Sequence, residues 1–185
     1  ICSNAQVSTQ GTRFWVSFLE NYDINMLLNS SVVISAKRNT TGTISNPNTG
    51  WSTTFTLGNN DIVEIDIPDA EGCPIIPGRA GDYGILITSN DSISVYASNF
   101  QSRIFDVTSV LPENALSDEY IIQTYPSATG YGAQFIIVAT EDDTVVDIVT
   151  TYNVVGNYEG EPYSITLNKG QTYLAQTNGI LQDIQ

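Results

Sequence analysis

Apolar and polar residues alternate along most of this chain with a period of two. That spacing sends successive side chains to opposite faces of a β-strand. In Ile62-Val63-Glu64-Ile65-Asp66-Ile67 the carboxylates Glu64 and Asp66 take one side, and Val63, Ile65 and Ile67 take the other. The pattern predicts strands at 14–18, 31–36, 53–57, 62–67, 85–88, 93–97, 120–125, 135–139, 145–149, 163–167 and 172–175. Gly58-Asn59-Asn60-Asp61, Asn90-Asp91 and Asn168-Lys169-Gly170 lie between these runs. They read as turns, because such residues tolerate positive φ or bond their own backbone. No stretch sustains a helical period, and one helical turn is expected near 112–116. Two stretches, 68–82 with its Pro and Gly residues and 126–133, read as irregular loops.

The fold class read from this pattern is all-β: two tandem β-sandwich-like units, the second incomplete at the C-terminus. The units are placed at 11–98 and 134–185, with an arm or signal remnant at 1–10 and a connecting segment at 99–133. An ordered internal similarity supports the duplication. Residues 14–21 resemble 135–142, 31–34 resemble 144–147, and 55–60 resemble 165–170. On that alignment the second unit lacks about two strands. Its open sheet edge is expected to be covered by further domains of the same chain beyond Gln185, or by a strand from another chain.

Composition narrows the function. The chain of 185 residues carries 6 Lys+Arg against 20 Asp+Glu, a net charge of −14, which repels nucleic acid and anionic membranes. Charged residues are only 14%, so the polarity comes mainly from Ser, Thr, Asn and Gln, as in many extracellular β proteins. No run approaches the ~20 apolar residues of a membrane-spanning helix. Ile1-Cys2-Ser3-Asn4-Ala5-Gln6 reads as the tail of a secretory signal, with Ser3 and Ala5 in the small-x-small pattern. Cys2 and Cys73 are the only cysteines. They can pair in an oxidising compartment, and two separate thiols are the alternative.

Several stretches are similar to the IgGFc-binding protein N-terminal domain family. They are 11–22 (Gly-Thr-Arg-Phe-Trp-Val-Ser-Phe-Leu-Glu-Asn-Tyr), 84–97, the run from Phe135 to Val146, and 167–173. The resemblance spans the chain from about Gly11 onward, and it lies in the order and spacing of these stretches. It implies an extracellular binding or adhesion module of a larger secreted or cell-surface protein, of the kind found on Bacteroidota. It carries no catalytic residues.

With no histidine, Ser-His-Asp and Cys-His catalysis are excluded. Phosphate-binding and dinucleotide fingerprints are absent too. The chain is read as not an enzyme. Glycoside hydrolysis needs only two carboxylates, so Glu20, Glu141, Asp142 and Asp143 are the acids to inspect for it. Glu141, Asp142 and Asp143 are also the candidate ligands for a Ca²⁺ ion, although they lack an EF-hand pattern. Tyr131, Tyr152 and Tyr158 lie near Gly or Asn in expected loops. They are the candidate ligand-binding residues for a protein or glycan partner, since tyrosine offers large contact area at low entropic cost. Trp15 and Trp51 are expected in the core. Rival readings are a structural spacer and a carbohydrate-active enzyme; an exposed aromatic patch rimmed by polar residues favours binding over spacing.

Overall fold

The computed structural model describes residues 8–19, 29–74, 76–101, 104–124 and 132–177. They form an all-β protein whose strands, in chain order, are β1 (Gln10–Val16), β2 (Asn29–Ala36), β3 (Thr40–Asn46), β4 (Trp51–Leu57), β5 (Asp61–Ile67), β6 (Ala80–Gly81), β7 (Ile85–Gln101), β8 (Ile104–Val110), β9 (Gln134–Val138), β10 (Thr144–Ile148), β11 (Tyr163–Leu167) and β12 (Thr172–Gln176). One helical turn, α1, covers Asp69–Gly72, and a 3₁₀ turn covers Glu113–Ala115, where the helical turn was expected.

Seven strands make one sheet in the order β4-β3-β7-β2-β5, with β1 and β8 also pairing to β7. β4 and β5 stand at opposite ends of that order, yet only residues 58–60 join them. The sheet therefore curls until its ends approach, wrapping a core of Phe14, Val32, Ile34, Ile44, Phe55, Leu57, Ile85, Ile87, Ile93 and Val95. β7 organises it. Its first half pairs with β1 and β3, and its second half with β2 and β8. Its odd-numbered residues Ile85, Ile87, Ile93, Val95 and Ala97 all point inward.

Three sequence expectations are corrected here. Residues 85–88 and 93–97 belong to one strand, and Asn90-Asp91 is no turn. Between β1 residues Gly11 and Arg13 the partner on β7 jumps from Ile93 to Thr88, so Asn90 and Asp91 lie in a bulge where β7 changes neighbours. Thr40 and Thr41 satisfy them: Thr40 Oγ1 accepts from Asp91 N, and Asn90 Nδ2 donates to Thr41 Oγ1. Of the strand expected at 120–125, the described residues 120–124 take no strand conformation, and Ile121 stands fully exposed. Strand β3 escaped prediction because Thr-Thr-Gly-Thr-Ile-Ser-Asn holds one large apolar residue. Its Gly42 is required: a Cβ there would lie 2.2 Å from both Phe55 Cζ and the Thr88 carbonyl oxygen.

The second core, with Phe135, Ile148, Val154, Leu167, Tyr173 and Ala175, lies between the β6-β12-β9 sheet and the β10-β11 hairpin. The edge of β12 is not open. β6, from the Pro/Gly-rich stretch expected to be an irregular loop, pairs with it at Thr172↔Gly81 and Tyr173↔Ala80. Gly78 N donates to Leu174 O (2.9 Å) and Gly84 N to Gly170 O (3.0 Å). The two cores are thus joined through backbone hydrogen bonds. Trp15 is buried at this junction, 3.4 Å from where a Cβ on Gly170 would stand. It is pinned by Nε1 donation to Glu113 Oε2 (2.9 Å), which also accepts from Arg13 Nε (2.7 Å).

Candidate binding surface

The curled sheet has an outer face as well as a core face, and strand register decides what stands on it. On β7 the even-numbered residues point outward. Across β5, β2, β7 and β8 this produces three rows: Glu64, Val33, Tyr96 and Ser109; Asp66, Ser31, Ser98 and Val107; then Asn29, Phe100 and Phe105. Tyr96, Phe100, Phe105 and Val107 are solvent-exposed, Phe105 by 64%. Phe100 and Phe105 meet edge to face, ring centroids 6.1 Å apart, a favoured arrangement for aromatic pairs. Ser31 and Ser98 are buried between these larger residues. Ser31 Oγ donates to Glu64 Oε1 (2.7 Å) and so holds one carboxylate against the patch.

This contiguous aromatic–aliphatic surface, with Glu64 and Asp66 on one flank, is the feature that sequence reasoning missed. The signal was present: Phe105-Asp106-Val107-Thr108 alternates. It lies within the stretch assigned to a connection, and alternation alone does not say which face meets water.

Of the ligand-binding and metal candidates singled out in sequence, the described ones lie in two different connections, one between β9 and β10 and one between β10 and β11. Tyr131, Glu20 and Cys2 lie outside the described residues, and so does the expected pairing of Cys2 with Cys73, which itself is buried in the first core. Tyr152 and Tyr158 stand exposed in the long connection between β10 and β11. That connection is closed on itself, with Thr150 Oγ1 donating to Tyr152 O (2.9 Å), Gly160 N to Thr150 O (2.8 Å) and Glu159 N to Asn153 Oδ1 (2.9 Å).

Glu141, Asp142 and Asp143 form the turn between β9 and β10. There Asp142 Oδ1 accepts from Lys169 N (3.0 Å), Asp143 N donates to Asn168 Oδ1 (3.3 Å), and the Glu141 carbonyl accepts from Thr144 Oγ1 (2.8 Å). Asp143 adopts φ 53°, the left-handed conformation tolerated by Asp in turns. Among the described residues no three His, Cys, Asp or Glu side chains gather in a metal-holding group. An open hollow beside β3 and β4 is lined by Asn39, Thr40, Thr41, Thr56, Leu57, Gly58 and Asn90, none of them acidic. Trp51 is half-buried against the first core.

The family model described as IgGFc binding protein matches residues 106–183, a stretch that begins in β8 and runs through the whole second core. No curated protein matches. No solved structure matches. Among the described residues no helix is long and apolar enough to cross a membrane.

Proposed function

With residues 106–183 carrying the pattern of the IgGFc binding protein family, we propose that this chain is an extracellular binding module that holds a protein ligand on the outer face of its curled sheet. One observation carries the reading: Tyr96, Phe100, Phe105 and Val107 lie together in water on a rigid β scaffold, flanked by Glu64 and Asp66. A spacer has no use for such a surface. Exposed apolar patches of this kind mark interaction sites, and aromatic residues dominate the energetics of binding interfaces. The family name makes the Fc region of immunoglobulin G the first ligand to try, with a panel of extracellular proteins and a glycan array beside it.

The test is surface-immobilised binding with the unmodified chain and with the Phe100→Ser/Phe105→Ser double variant. Both rings are exposed, so the variant is expected to melt within a few degrees of the parent. It is expected to bind at least ten-fold more weakly, the scale of aromatic hot spots. Retained affinity in the variant removes the patch as the site. Failure of the parent chain to hold any protein, together with release of sugar from a glycan, turns the reading to the carbohydrate-active enzyme.

A further inference from the structure

β8 pairs with β7 alone among the described strands. Among the described residues its other edge therefore turns the N–H and C=O groups of every second residue toward no backbone partner. Natural sheets guard such edges with Lys, Pro, a bulge, extreme shortness or an inward-pointing charge. β8 has one of these, the inward-side acid Asp106, which deters a neutral or acidic strand and favours a basic one: it is seven residues long, Ile-Phe-Asp-Val-Thr-Ser-Val, without Lys or Pro, and its register against β7 runs without a shift from Val95↔Val110 to Gln101↔Ile104. Phe105, Asp106, Val107, Thr108 and Ser109 are all exposed, so both faces of the strand are open as well as its edge. The outermost strand β5, by contrast, places Asp61, Glu64 and Asp66 at exposed positions.

We infer that the free edge of β8 takes up an extended, positively charged segment of a partner protein as an added antiparallel or parallel strand. This inference rests on the binding reading above and names how the ligand is held. Backbone hydrogen bonds to β8 supply affinity. Apolar side chains of the added strand continue the row of Phe105 and Val107, while the alternate positions face Asp106 and Thr108. The sign of the partner follows from charge. β2, β5, β7 and β8 carry Asp61, Glu64, Asp66, Asp91 and Asp106 and no Lys or Arg; Asp91 faces Arg38 (3.9 Å), so Asp106, with Asp66 and Glu64 on the neighbouring rows, sets the sign beside β8, and Arg103 lies in the 102–103 connection, outside the described residues. A second copy of this chain would bring −14 against −14, which opposes self-pairing at this edge.

The probes are two nine-residue synthetic peptides, one alternating lysine with valine and one with glutamate in place of lysine. Binding is read by calorimetry, and position by amide hydrogen exchange of the whole chain. The lysine peptide is expected to bind, to weaken as salt rises, and to slow exchange within 104–110; the glutamate peptide is expected not to bind. Asp106→Lys/Thr108→Lys changes the strand's inward face and leaves Phe100, Phe105 and Val107 intact. It is expected to weaken the lysine peptide at least ten-fold with an unchanged melting profile. Equal binding of both peptides, protection elsewhere in the chain, or β8-dependent self-association in sedimentation overturns the inference. A protein ligand that is lost in Phe100→Ser/Phe105→Ser yet fully retained in Asp106→Lys/Thr108→Lys overturns strand addition and leaves the binding reading standing. Peptide protection of β8 by a parent chain that holds no protein ligand supports the edge and overturns the binding reading alone.

Discussion

Tyr163 shows how one buried hydroxyl ties stability to pH. Its ring lies 6.4 Å from that of Tyr173 against the second core, and its hydroxyl oxygen is shielded from water. Burial pushes its pKa above the ordinary tyrosine value, and the neighbouring Tyr173 hydroxyl adds to the rise. In the unfolded chain the same group ionises near pH ~10. Below that pH both states hold the proton and stability is undiminished. Above it the unfolded state gives up its proton first, so stability falls as pH climbs towards the folded value. One proton sets a ceiling of about 1.4 kcal/mol per pH unit, reduced here because the residue is only half-buried. Tyr163→Phe is expected to flatten this part of the decline between pH 9 and 11, seen in urea unfolding at each pH. An unchanged slope would place the alkaline loss elsewhere.

At the scale of elements, the stretch between β5 and β7 is an organised clamp rather than slack chain. Asn46, fully buried at the end of β3, holds it. Its Nδ2 donates to Glu71 O (2.9 Å) and Asp82 O (2.7 Å), and its Oδ1 accepts from Asn48 N (3.0 Å) and Thr49 N (3.3 Å). Thr49 Oγ1 and Glu71 Oε2 add a second tie across the same gap. Asn46→Ala removes the partner of two carbonyls and two amides at a part-buried site. The expected cost is about 2–4 kcal/mol, since each unsatisfied buried group costs about 1–3 kcal/mol and some regain water. Chemical denaturation measures it, and a loss below about 1 kcal/mol would mean that the clamp is held by its other contacts. Pro and Gly made the stretch legible as non-strand. That it lends β6 to another sheet could not be read, because strand addition depends on which edge comes near.

For the whole molecule, the meeting of the two cores is the decisive contact. Gly84 approaches the 168–171 turn so closely that a Cβ would stand 2.4 Å from the Gly170 carbonyl oxygen. Backbone on both sides leaves nothing flexible to give way. Gly170 itself holds φ 77°, which a side chain rarely adopts. Gly84→Ala is expected to push the second core off the first at a cost of about 1–3 kcal/mol, typical of overpacking. Calorimetry is expected to show one unfolding transition for the parent and two for the variant. A single transition at the parent's temperature would show that the junction does not couple the cores.

The sequence by itself determined the strands that alternate cleanly, such as β2, β5, β10 and β11, since period-two patterning with one apolar face needs no knowledge of neighbours. It also determined the all-β class, the absence of histidine chemistry and the net charge. Tertiary structure alone decided the rest. It joined 85–88 and 93–97 into β7 and closed the edge of β12 with β6. It also turned Phe100, Phe105 and Val107 to water. Alternation states that two faces differ; only the packing of sheet on sheet chooses which of them is covered, and backbone pairing between distant segments leaves no periodic mark on the residues that make it.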